Sequence, residues 1–67
     1  MNNKFLDEKV VELAAKFMFQ AYGAISASTA FDMAVGEAEV EFDTDIDAKF
    51  NDSYKKRIET LYNKLNS

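Results

Sequence analysis

The chain has no cysteine and no histidine. The first absence excludes disulfides, a thiolate nucleophile and any cysteine-held metal. The second removes the commonest general base and a leading metal ligand. Glycine is almost as scarce: Gly23 and Gly36 stand alone, so no glycine-rich loop is available to cradle a phosphate. Ser26, Ser28 and Thr29 have no histidine to activate them, and no lysine follows any of them at Ser-x-x-Lys spacing. The expectation is a protein that is not an enzyme and carries no cofactor.

Long apolar runs are missing too. The longest charge-free stretch, Phe17 to Phe31, contains Gln20, Ser26, Ser28 and Thr29. It falls short of the roughly 20 apolar residues a bilayer crossing needs. The start, Met1-Asn2-Asn3-Lys4, has no apolar core of the signal-peptide kind. A cytoplasmic protein with no membrane partner is expected. At 67 residues the chain is one small domain, 1–67. A domain of this size buries only about 60% of its unfolded surface, so its stability is marginal without help from packing or association.

What is present is negative charge, unevenly placed. The net charge is −4. Residues 1–36 carry about −1, residues 37–52 carry −6, and residues 53–67 carry +3. The single basic cluster, Lys55-Lys56-Arg57, is short, and the overall charge repels phosphate, so no direct nucleic-acid binding is expected.

The strongest periodic signal lies in Phe5 to Tyr22. At about 100° per residue, Glu8, Lys9, Glu12, Lys16 and Gln20 share one sector of roughly 120°. Leu6, Val10, Leu13, Ala14, Phe17 and Met18 belong to the broad apolar remainder, with Phe17 expected as a core aromatic. A surface helix usually carries a stripe little wider than about 100°, so this helix needs two neighbours, or one neighbour and another molecule. Phe19 falls inside the charged sector, where it is either a lone exposed aromatic or a contact to a second chain. Asn2 or Asn3 can cap this helix, and Gly23 is its expected left-handed stop.

Ser26 is a good cap for a second helix. Ala27, Ala30, Phe31, Ala34, Val35, Ala38 and Phe42 then recur at spacings of three and four on an alanine-rich face. Met33 and Val40, seven residues apart, form a thin second stripe. A competing pattern overlaps it: from Glu37 to Asp47 acids alternate strictly with other residues, which is the signature of a strand. A lone strand leaves its backbone unpaired, so that reading requires residues 37–46 to pair across a dimer in an α+β fold. Thr44 and Asp47 resemble a capping box for a third helix. Ile46, Phe50, Tyr54, Ile58, Leu61, Tyr62 and Leu65 trace its stripe, with Asn51-Asp52-Ser53 as a place where it can restart.

The expected fold is therefore all-α: a three-helix unit of about 3–22, 26–42 and 45–65 wrapped around its first helix. A thin core of this kind favours self-association, with Phe19, Met33 and Val40 as its candidate residues. The triplet Asp43, Asp45 and Asp47 has the spacing of a calcium loop. Ala48 stands where that loop needs its glycine and Tyr54 where it needs the closing glutamate, so no metal site is expected.

For function, the row Glu37, Glu39, Glu41, Asp43, Asp45 and Asp47 is the candidate partner-binding surface. It suits a protein with a basic surface, and if that surface normally holds nucleic acid the chain would inhibit it by mimicry. The alternative is a structural or regulatory homo-oligomer in which the acids only maintain solubility.

Overall fold

Three helices are present among the described residues: α1 Lys4–Gln20, α2 Ala27–Glu41 and α3 Asp52–Leu65. The structure is a computed structural model and describes residues 3–67. Asn2 lies outside the described residues, and the α1 cap is Asn3, whose Oδ1 accepts from the Leu6 amide at 3.1 Å. Ser26 caps α2 in the same way through the Thr29 amide, also at 3.1 Å. Each such cap satisfies an amide that the helix cannot, worth about 1 kcal/mol.

α1 is the middle of the molecule: it packs against both other helices, while α2 and α3 touch each other little. Ala14 and Ala15 on α1 and Ala30, Ala34 and Ala38 on α2 are fully buried. Methyl-sized side chains let the two helices approach closely, and the deep bulk comes from Val10, Phe31 and Ile58. Phe17, expected in the core, is only half-buried. The aromatic centre is Phe31 instead, 5.5 Å from the Phe50 ring and 4.8 Å from Tyr54. α3 lies across α1. Its Arg57 reaches Asp7 near the start of α1, while Tyr62 sits against Gly23, beyond its end.

Both long helices stop in the same way, with a non-glycine residue in the left-handed position. After α1, Tyr22 has φ 54° and Gly23 has φ 76°. The Gly23 amide bonds the Met18 carbonyl at 2.9 Å and the Tyr22 amide bonds Phe19 at 3.1 Å. This is the paired 6→1 and 5→2 closure that satisfies the last carbonyls of a helix. The predicted stop thus moves one residue: Tyr22 takes the first left-handed position and Gly23 follows it. After α2, Asp43 has φ 49°, with Thr44 bonded to Glu39 at 3.2 Å and Asp43 to Val40 at 3.4 Å.

The third helix does not begin at residue 45. It begins at Asp52, capped by Asn51, whose Oδ1 accepts from the Tyr54 amide at 2.9 Å. Residues 45–51 form no helix and no strand; they make an extended strap running back along α2. Its ends are fixed at two levels of that helix: the Ile46 amide donates to Glu39 Oε2 at 2.9 Å, and Phe50 packs on Phe31. Those levels are eight helical residues apart, about 12 Å. Four extended residues cover about 13 Å, whereas four helical ones cover about 6 Å. A helix through 46–50 would fall about 6 Å short of that separation.

The alternation in the sequence is therefore real but displaced. Ile46, Ala48 and Phe50 turn inward and Asp47 and Lys49 outward, while residues 37–41 are helical. The cross-dimer strand over 37–46 is not formed, and no strand occurs among the described residues.

Candidate interaction surface

The six carboxylates do not form one continuous row. Glu37 and Glu41 lie on the last turns of α2, exposed and four residues apart. Asp43 occupies the left-handed turn, and Asp45 and Asp47 stand on the strap; all three are exposed. Glu39 departs from the expectation. It is partly buried, and one of its oxygens holds the strap through the Ile46 amide, so its first role is internal.

Gly36, Glu39, Val40, Asp43, Thr44 and Asp45 surround an open concavity of about 570 Å³ at the junction of α2 and the strap. A basic side chain entering it would meet an apolar wall at Val40 and carboxylates at its rim. Among the described residues no cluster of three or more acids is gathered as a metal ion requires.

The basic residues of α3 do not neutralise this region. The ion pair among the described residues joins Arg57 to Asp7, with Nη1 2.8 Å from Oδ2. The other Asp7 oxygen accepts a hydrogen bond from the Tyr54 hydroxyl. Burial raises the Asp7 pKa, but the Tyr54 and Arg57 hydrogen bonds and the Arg57 charge outweigh it, leaving the carboxyl below its ordinary value. Burial, then the Asp7 hydrogen bond and charge, push the Tyr54 phenol up to about 12. Arg57 also lies over the Tyr54 ring, 5.6 Å from its centroid. The three residues latch α3 to the start of α1. Asp7 reads in the sequence only as an early acid that suits the helix dipole, and nothing local announces a partner some fifty residues on.

The candidate apolar contacts are all outside the core. Phe19 retains 44% of its surface, Met33 45% and Val40 81%. Two further exposed aromatics escape the periodicity argument. Tyr22 is 95% exposed because the helix stop turns it outward. Phe5 meets Phe42 edge-on at 5.4 Å where α1 begins and α2 ends. One pair does have Ser-x-x-Lys spacing, Ser53 and Lys56, but both are exposed on the first turns of α3, with no hydrogen bond joining them.

Fold and surface together define a small three-helix domain with an acidic junction, and no helix among the described residues is long and apolar enough to cross a membrane. Comparisons of the chain with known protein families, characterised proteins and solved structures return no match.

Proposed function

We propose that this protein is a non-enzymatic binding module whose acidic junction docks on a basic surface of another protein. The observation that carries this reading is the charge left over at one end of α2. Glu37, Glu41, Asp43, Asp45 and Asp47 are exposed and find no ion-pair partner among the described residues. Exposed like charges held side by side oppose folding, and a cationic partner relieves that repulsion. Such a surface accelerates association and sets specificity more than it adds contact energy.

A basic surface that normally holds nucleic acid is the partner class this favours, with the chain acting as a stoichiometric inhibitor. The support is charge rather than shape. Neighbouring carboxylates on α2 rise about 6 Å, as do alternate residues of the strap, whereas one DNA strand places a charge about every 3.4 Å along its axis. The imitation has roughly half the charge density of one strand.

The test is capture of partners from a lysate by the wild type and by a variant carrying Glu37→Gln, Glu41→Gln, Asp43→Asn, Asp45→Asn and Asp47→Asn. Glu39 stays, because it is partly buried and already accepts from the Ile46 amide, so it is the acid least available to a partner. The reading expects a basic, nucleic-acid-handling protein that the variant fails to retain, and wild-type binding that weakens as salt rises. Equal retention by both proteins, with the same salt dependence, would show that the acids serve solubility alone.

A further inference from the structure

Two surfaces of opposite chemistry extend beyond that junction, the first sharing Gly36, Val40 and Glu37 with it. On the face of α2 turned away from the core, Met33, Gly36 and Val40 form a line at spacings of three and four. A β-carbon at Gly36 would meet nothing within 4 Å, so no packing inside the chain calls for glycine there. Asp32 and Glu39 border this ridge on one side and Glu37 on the other, by the 100° rotation of the helix.

The second surface is a trough between α1 and α3. Val11 and Leu61 line a part of about 380 Å³ edged by Lys56 and Lys64. Leu61 also lines the adjoining part of about 220 Å³, with Leu65, Lys16 and the acid Glu12. The trough is therefore one apolar channel with a mainly basic rim.

We infer that the two surfaces are the halves of one contact between copies of this chain: the α2 ridge of one copy seats in the α1/α3 trough of the next. Ridge acids meet trough lysines, and Met33 and Val40 meet Leu61 and Leu65 above the buried Val11 at the trough floor. The lengths agree, since Met33 to Val40 rises about 10 Å and Lys56 to Lys64 about 12 Å. Gly36 lets the trough walls approach the ridge backbone. Pairing of like surfaces is disfavoured, because ridge on ridge sets acids against acids and trough on trough sets lysines against lysines. The contact is therefore head-to-tail, and each added copy leaves one ridge and one trough open. So few apolar side chains make a small interface, read at roughly 10⁻⁴ M protein.

Sedimentation velocity on three proteins tests this: the wild type, a ridge variant Met33→Lys with Val40→Lys, and a trough variant Lys56→Glu with Lys64→Glu. The wild type should gain mass with concentration at low salt and lose it at high salt. Each double variant alone should stay monomeric with unchanged helical circular dichroism, since all four positions are exposed. Mixed in equal amounts, the variants should associate and reach at least twice the chain mass, because the intact ridge of one meets the intact trough of the other. A wild type that stays monomeric at about 1 mM, roughly tenfold above the expected concentration, or variants that fail to pair, overturns the inference. Val40 also lines the junction, so the two readings are separated by the trough variant, which touches no junction residue: a wild type that stays monomeric yet captures a partner overturns this inference alone.

Discussion

Gly23 and Gly36 show how differently one residue type is used in this chain. At Gly23, φ is 76° and a β-carbon would lie 2.6 Å from the Tyr62 hydroxyl oxygen. Gly23→Ala therefore meets both a strained backbone and a clash, and should lower stability by about 1–2 kcal/mol in a denaturant titration. At Gly36 the space is open and the backbone helical, so Gly36→Ala should raise stability by about 0.5–1 kcal/mol. The same alanine should weaken self-association, because it adds bulk where the ridge needs close approach. Asp43 gives a third case: it holds a left-handed φ of 49° without a glycine's freedom. Asp43→Gly should lengthen the life of the α2 stop, read as slower amide exchange at Thr44.

Among the elements, the strap between α2 and α3 carries more than its lack of regular structure suggests. α2 and α3 scarcely touch, so much of what joins them passes through Ile46, Phe50 and the Glu39 hydrogen bond. Glu39→Gln keeps an acceptor and should cost little, whereas Glu39→Ala leaves the Ile46 amide unpaired and should cost about 1–3 kcal/mol. The aromatic whose loss matters most is Phe31, 2% exposed between Phe50 and Tyr54. Phe31→Ala should destabilise the domain by about 3–5 kcal/mol, and the half-buried Phe17 by less, when both are measured by chemical denaturation. A larger loss at Phe17 would mean that the α1–α2 seam, rather than the Phe31 cluster, dominates the core.

For the whole molecule, the Asp7–Tyr54–Arg57 latch makes stability depend on pH at both extremes. The Asp7 carboxyl titrates below its unfolded value, so its contribution is present above about pH 4 and is lost as pH falls further. The Tyr54 phenol is raised from 10.0 to about 12, so its contribution is present below about pH 10 and is lost as pH rises towards 12. Arg57 remains charged throughout. Tyr54→Phe should flatten the alkaline limb of a stability–pH curve and weaken the acidic one, because the Asp7 carboxylate then loses a donor. The Asp7 side chain keeps 23% of its surface and that of Arg57 40%, so water screens the pair and both limbs should be shallow.

Periodicity alone identified α1, the buried alanine face of α2 and the stripe through Tyr54, Ile58 and Leu61, because a helix repeats its environment every 3.6 residues and that repeat is local. It also placed the net charge of the junction and the outward position of Met33 and Val40. It could not place the strap. Thr44 and Asn51 both look like helix caps, and the choice depends on how far apart Glu39 and Phe31 lie along another helix, a distance set only when the strap meets α2. The same holds for Glu39, which the sequence makes one of six equal acids and packing turns into an anchor. It holds as well for the latch, whose partners are separated by most of the chain. Local pattern decided which residues could be buried; tertiary contact decided which acids were left free to meet another molecule.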